Sequence, residues 1–134
     1  MQPHGSYTHT NIRIPSDFAA KQPEGDEIQR ENFRKAVKTG VKIAFGTDAS
    51  VYPHGLNARQ FAWQVKYGQT PMEAIRSSTV SAADLIGRGN DAGSLEPGKW
   101  ADLIAVKGDP LADVRVLENV AFVMKGGKVY KDAR

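Results

Sequence analysis

The sequence has no cysteine among its 134 residues. That excludes disulfides, thiolate metal ligands and cysteine nucleophiles, and it fits a reducing compartment such as the cytoplasm. Histidine is scarce, with His4, His9 and His54 only. Long hydrophobic runs are missing too. The longest apolar stretches are a few residues, against the roughly 20 needed to cross a bilayer, so no membrane partner is expected. Met1–Thr10 is polar and has no apolar signal core, so secretion is not expected. Nor is charge of one sign gathered in one place. The net charge is +3, and acids alternate with bases through Glu24, Asp26, Glu27, Arg30, Glu31, Arg34 and Lys35. Such a surface offers no stripe that tracks phosphates, so no nucleic-acid partner is expected.

What is present suits about one soluble domain, with 40% hydrophobic and 25% charged residues. Residues 1–25 are rich in Pro, Gly, Ser, Thr and His without periodicity. They read as loop, with a short strand possible near Tyr7–Ile14. Residues 26–39 read as a helix, because Phe33, Ala36 and Val37 share one face. Gly40 suits its C-terminal cap. The apolar run from Val41 to Phe45, ending Gly46-Thr47-Asp48, reads as a buried parallel strand. A second helix is expected over about Asn57–Tyr67, with Asn57 as its cap and Gly68 as its stop. Thr70-Pro71-Met72-Glu73 is a capping-box start with proline at the first helical position. Another helix runs from Thr79 to Gly87. Beyond residue 90 the pattern turns to β. Pro97-Gly98 suits a type II turn, Trp100–Val106 and Val120–Met124 suit strands, and Gly126-Gly127 suits a tight hairpin.

Five segments in order carry a resemblance. They are Ile43–Asp48, Gly68–Ile75, Ser78–Ala83, Gly93–Leu103 (GSLEPGKWADL) and Val123–Val129 (VMKGGKV). Together they resemble the end of the amidohydrolase superfamily of metal-dependent hydrolases, notably the imidazolonepropionase-like and Xaa-Pro dipeptidase-like groups. The resemblance implies an α/β fold, the last part of a (β/α)8 TIM-type barrel followed by part of a small β-sandwich. On that division residues 1–25 are a loop or partial strand of the barrel, 26–90 its end, and 91–131 part of the small β domain.

The resemblance also implies the chemistry. Asp48 would be the metal-linked aspartate at the end of the last strand, both catalytic and a metal ligand. The metal would be divalent, zinc before others, as one or two ions in the complete enzyme. It would activate water to hydrolyse an amide, a cyclic amide or an Xaa-Pro dipeptide. His54 and Asn57, in the loop after that strand, would touch the small-molecule or dipeptide substrate. Read without the resemblance, Asp48 is a turn residue, His54 a solvated loop histidine and Asn57 a helix cap. Asp102 reads as structural, and Trp63 and Trp100 as packing groups.

One departure stands out. Members of the superfamily carry a His-x-His pair and further ligands on other barrel strands. This sequence has no His-x-His, and four residues separate His4 from His9. A full barrel also takes about 250 residues. The expectation is therefore a fragment or truncated product, inactive alone, whose partner is the missing N-terminal barrel portion or a second copy. The alternatives are a non-catalytic interaction protein, one subunit of a split hydrolase, or a small autonomous metal site built from Asp48 with His4, His9 or His54.

Overall fold

The computed structural model describes residues 16–47 and 55–133. Its elements run α1 (Ser16–Lys38), α2 (Arg59–Lys66), α3 (Pro71–Ser78), α4 (Val80–Leu85), β1 (Leu103–Val106), a 3-10 helix (Val114–Glu118), β2 (Val120–Lys125) and β3 (Lys128–Asp132). None of its helices is long and apolar enough to cross a membrane.

Helix α1 starts ten residues before the expected position 26 and runs through Pro23. Proline lacks an N–H and disfavours helix interiors, which is why the sequence pattern points to a later start. The end is where the pattern places it. The Gly40 N–H bonds the Val37 carbonyl and the Val41 N–H bonds that of Ala36, with Gly40 at φ +72°. That double closure needs a left-handed residue after the helix, which glycine supplies without a Cβ clash.

The expected strand at 41–48 is not formed over its described part. Residues 41–47 have no regular secondary structure. The reason is physical. A parallel strand needs neighbouring strands to take its N–H and C=O groups, and the described chain has none beside it. The Phe45 N–H bonds the Ser77 carbonyl at the end of α3 instead, at 2.9 Å.

Helix α3 begins as the sequence predicts. The Glu73 N–H donates to Thr70 Oγ1 at 3.2 Å, and the Thr70 N–H donates to Glu73 Oε2 at 2.7 Å. Such a cap contributes about 1 kcal/mol. The capping hydrogen bonds also hold the Glu73 carboxyl below its ordinary pKa. Helix α4 follows after Thr79, whose hydroxyl donates back to the Ile75 carbonyl at 2.9 Å rather than capping α4.

The β region is a three-stranded antiparallel sheet in the order β1-β2-β3. Leu103 pairs with Met124 and Lys125 with Lys128, with one irregularity in each pairing. The first strand starts at Leu103, not Trp100, because residues 100–102 serve another purpose. Asp102 Oδ1 accepts the Gly126 N–H at 2.6 Å, and the Ala101 carbonyl accepts the Gly127 N–H at 3.1 Å. The Ala-Asp-Leu segment thus holds the glycine hairpin.

The Pro97-Gly98 turn closes by a Lys99 N–H to Glu96 carbonyl bond of 3.2 Å. Just before it, Gly93 sits against α4. A Cβ there would lie 2.8 Å from Ala83 Cβ and 2.9 Å from the Thr79 carbonyl, at φ +93°. Only glycine allows that approach.

The core is small. Among the described residues the buried hydrophobic side chains are Ala74, Ala83, Val114 and Ala121. No large aliphatic or aromatic side chain joins them, while Leu85, Ile86 and Leu95 are each more than 70% exposed. Trp63 and Trp100 are about half exposed, and the Trp63 ring stacks on that of Tyr67. Each also meets a cation, Lys66 Nζ 4.6 Å from the Trp63 ring centre and the Arg88 guanidinium 5.7 Å from that of Trp100. Such contacts are worth about 0.5–1 kcal/mol at exposed sites.

Candidate functional site

The run from Val41 to Thr47 is tied to the helices around it. Lys42 Nζ lies 2.8 Å from Asp84 Oδ2 of α4, a contact that lowers the Asp84 pKa. Both partners are exposed, so the pair adds little stability. Phe45 stacks on Phe61 of α2, with ring centres 5.3 Å apart and planes inclined by 14°. Its N–H is held by Ser77, as above.

Beneath that attachment lies a buried polar pair. Gln64 Nε2 donates to Ser77 Oγ at 3.3 Å, and that hydroxyl donates to the Ala74 carbonyl at 2.7 Å. Ser77 is 2% exposed. It takes the inward position three residues after Ala74, where the helical pattern expects an apolar side chain. The pair fixes α2 to α3 directly under the run, and the hydrophobic pattern gives no sign of it.

At the end of the run, Asn57 Nδ2 donates to Thr47 Oγ1 at 2.9 Å. Asn57 Oδ1 accepts the Gly55 N–H at 3.2 Å. Asn57 is therefore not the cap of α2. Ala58 holds that position with no side-chain hydrogen bond, because the Asn57 amide is already engaged on both sides. Thr47 and Asn57 stand on either side of the segment that contains Asp48 and His54. Those two residues, like His4 and His9, lie outside the described residues. Of the three expected site residues, the structure thus places Asn57 alone. The Thr47–Asn57 bond was legible only in part, since both residue types bond readily near turns but no spacing rule pairs positions ten apart.

Two surface hollows lie elsewhere. One of about 330 Å³ is lined by Lys107, Val116, Asn119, Val120, Ala121, Lys131 and Ala133. It carries no acid or histidine that could move a proton. The other, of about 310 Å³, lies on α1 around Ile28. Neither includes Thr47 or Asn57.

Known proteins fit this arrangement. The sequence pattern of the amidohydrolase family matches residues 17–130. The chain belongs to that family. It is 38% identical over 104 residues to an ochratoxinase from Aspergillus niger, covering 74% of this chain and 21% of that protein. It is 32% identical over 102 residues to an imidazolonepropionase from Geobacillus kaustophilus, covering 72% and 24%. Its fold matches the crystal structure of a Xaa-Pro dipeptidase with bound methionine in the active site. That match has a TM-score of 0.74 and 51% identity, and it covers 76% of this chain and 25% of that one. The chain thus spans about a fifth to a quarter of the length of these relatives. The matched structures are consistent with a TIM-barrel type of architecture, of which the described elements are a small mixed α/β part.

Amidohydrolases are hydrolases that generally use divalent metal ions. Among the described residues no group of three or more His, Asp or Glu side chains could hold such an ion. The described residues therefore do not fit a metal centre by themselves.

Proposed function

We propose that this chain is the C-terminal portion of a metal-dependent amidohydrolase that cleaves a C–N bond in an amide, a cyclic amide or an Xaa-Pro dipeptide. The family match across residues 17–130 carries the reading. Zinc is the ion we assign to the complete enzyme, with the remaining donors supplied from outside the described residues.

Asp48 is the residue we assign to proton movement. It follows Thr47, whose hydroxyl is clasped by Asn57. In the reaction, water adds its oxygen to the carbonyl carbon and the C–N bond breaks. A carboxylate in reach takes the proton from the water and returns it to the departing nitrogen. His54 and Asn57 then line the substrate side. The Asn57 amide also bonds Thr47 and Gly55, on either side of the segment that carries Asp48 and His54.

The 134-residue chain alone is expected to be inactive. The test is an assay of the chain assembled with the remainder of an amidohydrolase, against Xaa-Pro dipeptides, N-acyl amino acids and cyclic amides. Asp48→Asn should lower turnover by about 10²–10⁴-fold, the usual contribution of a positioned proton carrier. Unchanged turnover in that variant would remove Asp48 from the mechanism. A second reading, a non-catalytic interaction protein or one subunit of a split hydrolase, is favoured by one observation. The apolar run 41–47 has no strand partner among the described residues.

A further inference from the structure

The sheet carries a hollow that the proposed chemistry does not use. Small side chains make it. Ala121 and Ala133 stand beside each other where the Ala133 N–H bonds the Ala121 carbonyl at 2.8 Å. With Val116 and Val120 they give the hollow an apolar floor, and its volume is about 330 Å³. That is near the lower end of the range for small-molecule pockets.

The rim is cationic. Lys107 follows β1, Lys131 lies on β3 and Asn119 precedes β2. Strands β1 and β3 flank β2, so the two lysines reach the hollow from opposite sides. Among the described residues neither lysine has an ion-pair partner, and no carboxylate lines the hollow. The acids next to the lining residues in sequence do not serve it. Glu118 reaches Arg59 at 3.6 Å. Asp132 pairs beside Phe122 and Lys131 beside Val123, so strand alternation turns Asp132 to the other face of the sheet.

Two unpaired ammonium groups above an apolar floor favour a ligand that is negative at both ends and apolar between them. We propose that this hollow binds a small organic dianion, of which an aliphatic dicarboxylate is the simplest form. One carboxylate meets each lysine, and the carbon spacer lies on the alanine and valine floor. The Asn119 amide can donate to either end. The site involves none of Asp48, His54 and Asn57. It therefore goes beyond the proposed hydrolysis and does not rest on it.

The test is a titration of the isotope-labelled 134-residue chain with glutarate, read by backbone amide shifts. Saturable shifts are expected at Lys107, Val116, Asn119, Ala121 and Ala133, and none at the Gly126-Gly127 hairpin. Glutaramide, the neutral counterpart, should shift none of them. Inorganic phosphate should bind more weakly than glutarate, because it has nothing to lay on the floor. Lys107→Met combined with Lys131→Met should weaken glutarate binding at least about tenfold. Ala133→Leu should also weaken it, because it fills the floor and leaves both charges. Lys125→Met combined with Lys128→Met, on the hairpin outside the hollow, should leave it unchanged. The positions replaced are all exposed, and the amide spectrum of each variant shows whether the sheet is intact. If Ala133→Leu loses the sheet, the lysine variants decide.

Shifts that do not saturate overturn the proposal, and so does glutaramide or phosphate binding as tightly as glutarate. An equal loss in the hairpin variant overturns it in favour of general attraction to a basic surface. Unchanged binding in an intact Ala133→Leu chain overturns it as well, because the charges alone would then hold the anion. None of these readouts is turnover, so failure here leaves the proposed hydrolysis standing.

Discussion

The two halves of the described chain treat their backbone groups differently. Residues 91–133 close on themselves. The sheet pairs three consecutive strands, the Pro97-Gly98 turn bonds internally, and Asp102 reaches across to the Gly126 N–H. Residues 41–47 have a stronger apolar strand pattern than β3, yet they form no strand. The difference lies in where the partners sit in the sequence. A hairpin partner is a few residues away, whereas a parallel strand's partner is at least one crossover distant. A local pattern therefore specifies β1–β3 within this chain but leaves 41–47 dependent on strands that the described chain does not supply.

This contrast can be broken from either side. The largest effect is expected at Gly93, where the signature segment touches α4. Gly93→Val combines a positive φ with a close clash against Ala83 and the Thr79 carbonyl. It should destabilise the chain by about 3 kcal/mol or more, read as a lower midpoint in urea unfolding. An unchanged midpoint would show that the signature does not pack on α4 in solution.

Ser77→Val comes next. It leaves the buried Gln64 amide without its partner and should lose about 1–3 kcal/mol. It should also loosen the run above, so that the Phe45 amide exchanges faster while the β1–β3 amides do not change. Equal acceleration in both regions would contradict that division.

Asp102→Ala should act on the other half, by about 1 kcal/mol, with faster exchange confined to the Gly126 amide and its neighbours. Asn57→Ala should have little effect on unfolding. In an assembled enzyme it should lower turnover by about tenfold, because Thr47, next to Asp48 in the sequence, loses its bond to Asn57.

The smallest effect is electrostatic. Hydrogen bonds from the Arg115 side chain and backbone lower the Asp113 pKa from 3.8 to about 2. A carboxyl with a lowered folded pKa adds stability above its ordinary value and loses it as pH falls through the folded one. The difference in midpoint between the native chain and Asp113→Asn should thus be full above about pH 4 and gone near pH 2. A difference that grows on acidification would reverse the assigned sign.

Much of the fold was legible in the sequence because its signals are local. Thr70 and Glu73 lie three residues apart and cap α3 as expected. Gly40 ends α1, and Gly126-Gly127 makes the hairpin between β2 and β3. The start of α1 was missed because Pro23 argues against the helix that contains it. The strand at 41–48 was expected because its composition reports what the run needs, not whether a neighbour is present. The Gln64–Ser77 pair was missed because a buried serine breaks the apolar pattern without announcing its partner. The candidate site rests mainly on the family resemblance. The residues alone leave Asp48 and His54 as ordinary loop residues, and the one expected site residue that the structure places, Asn57, proves to be a clasp and not a cap.

The most direct test of the account is the zinc content of the purified 134-residue chain after exposure to zinc and removal of loosely held metal. Under the proposed function Asp48 needs further donors from elsewhere, since a catalytic zinc site takes about three protein ligands. No bound zinc is therefore expected in the chain alone. About one ion per chain, lost in Asp48→Asn, would contradict it, because the chain or its oligomer would then complete a metal site by itself.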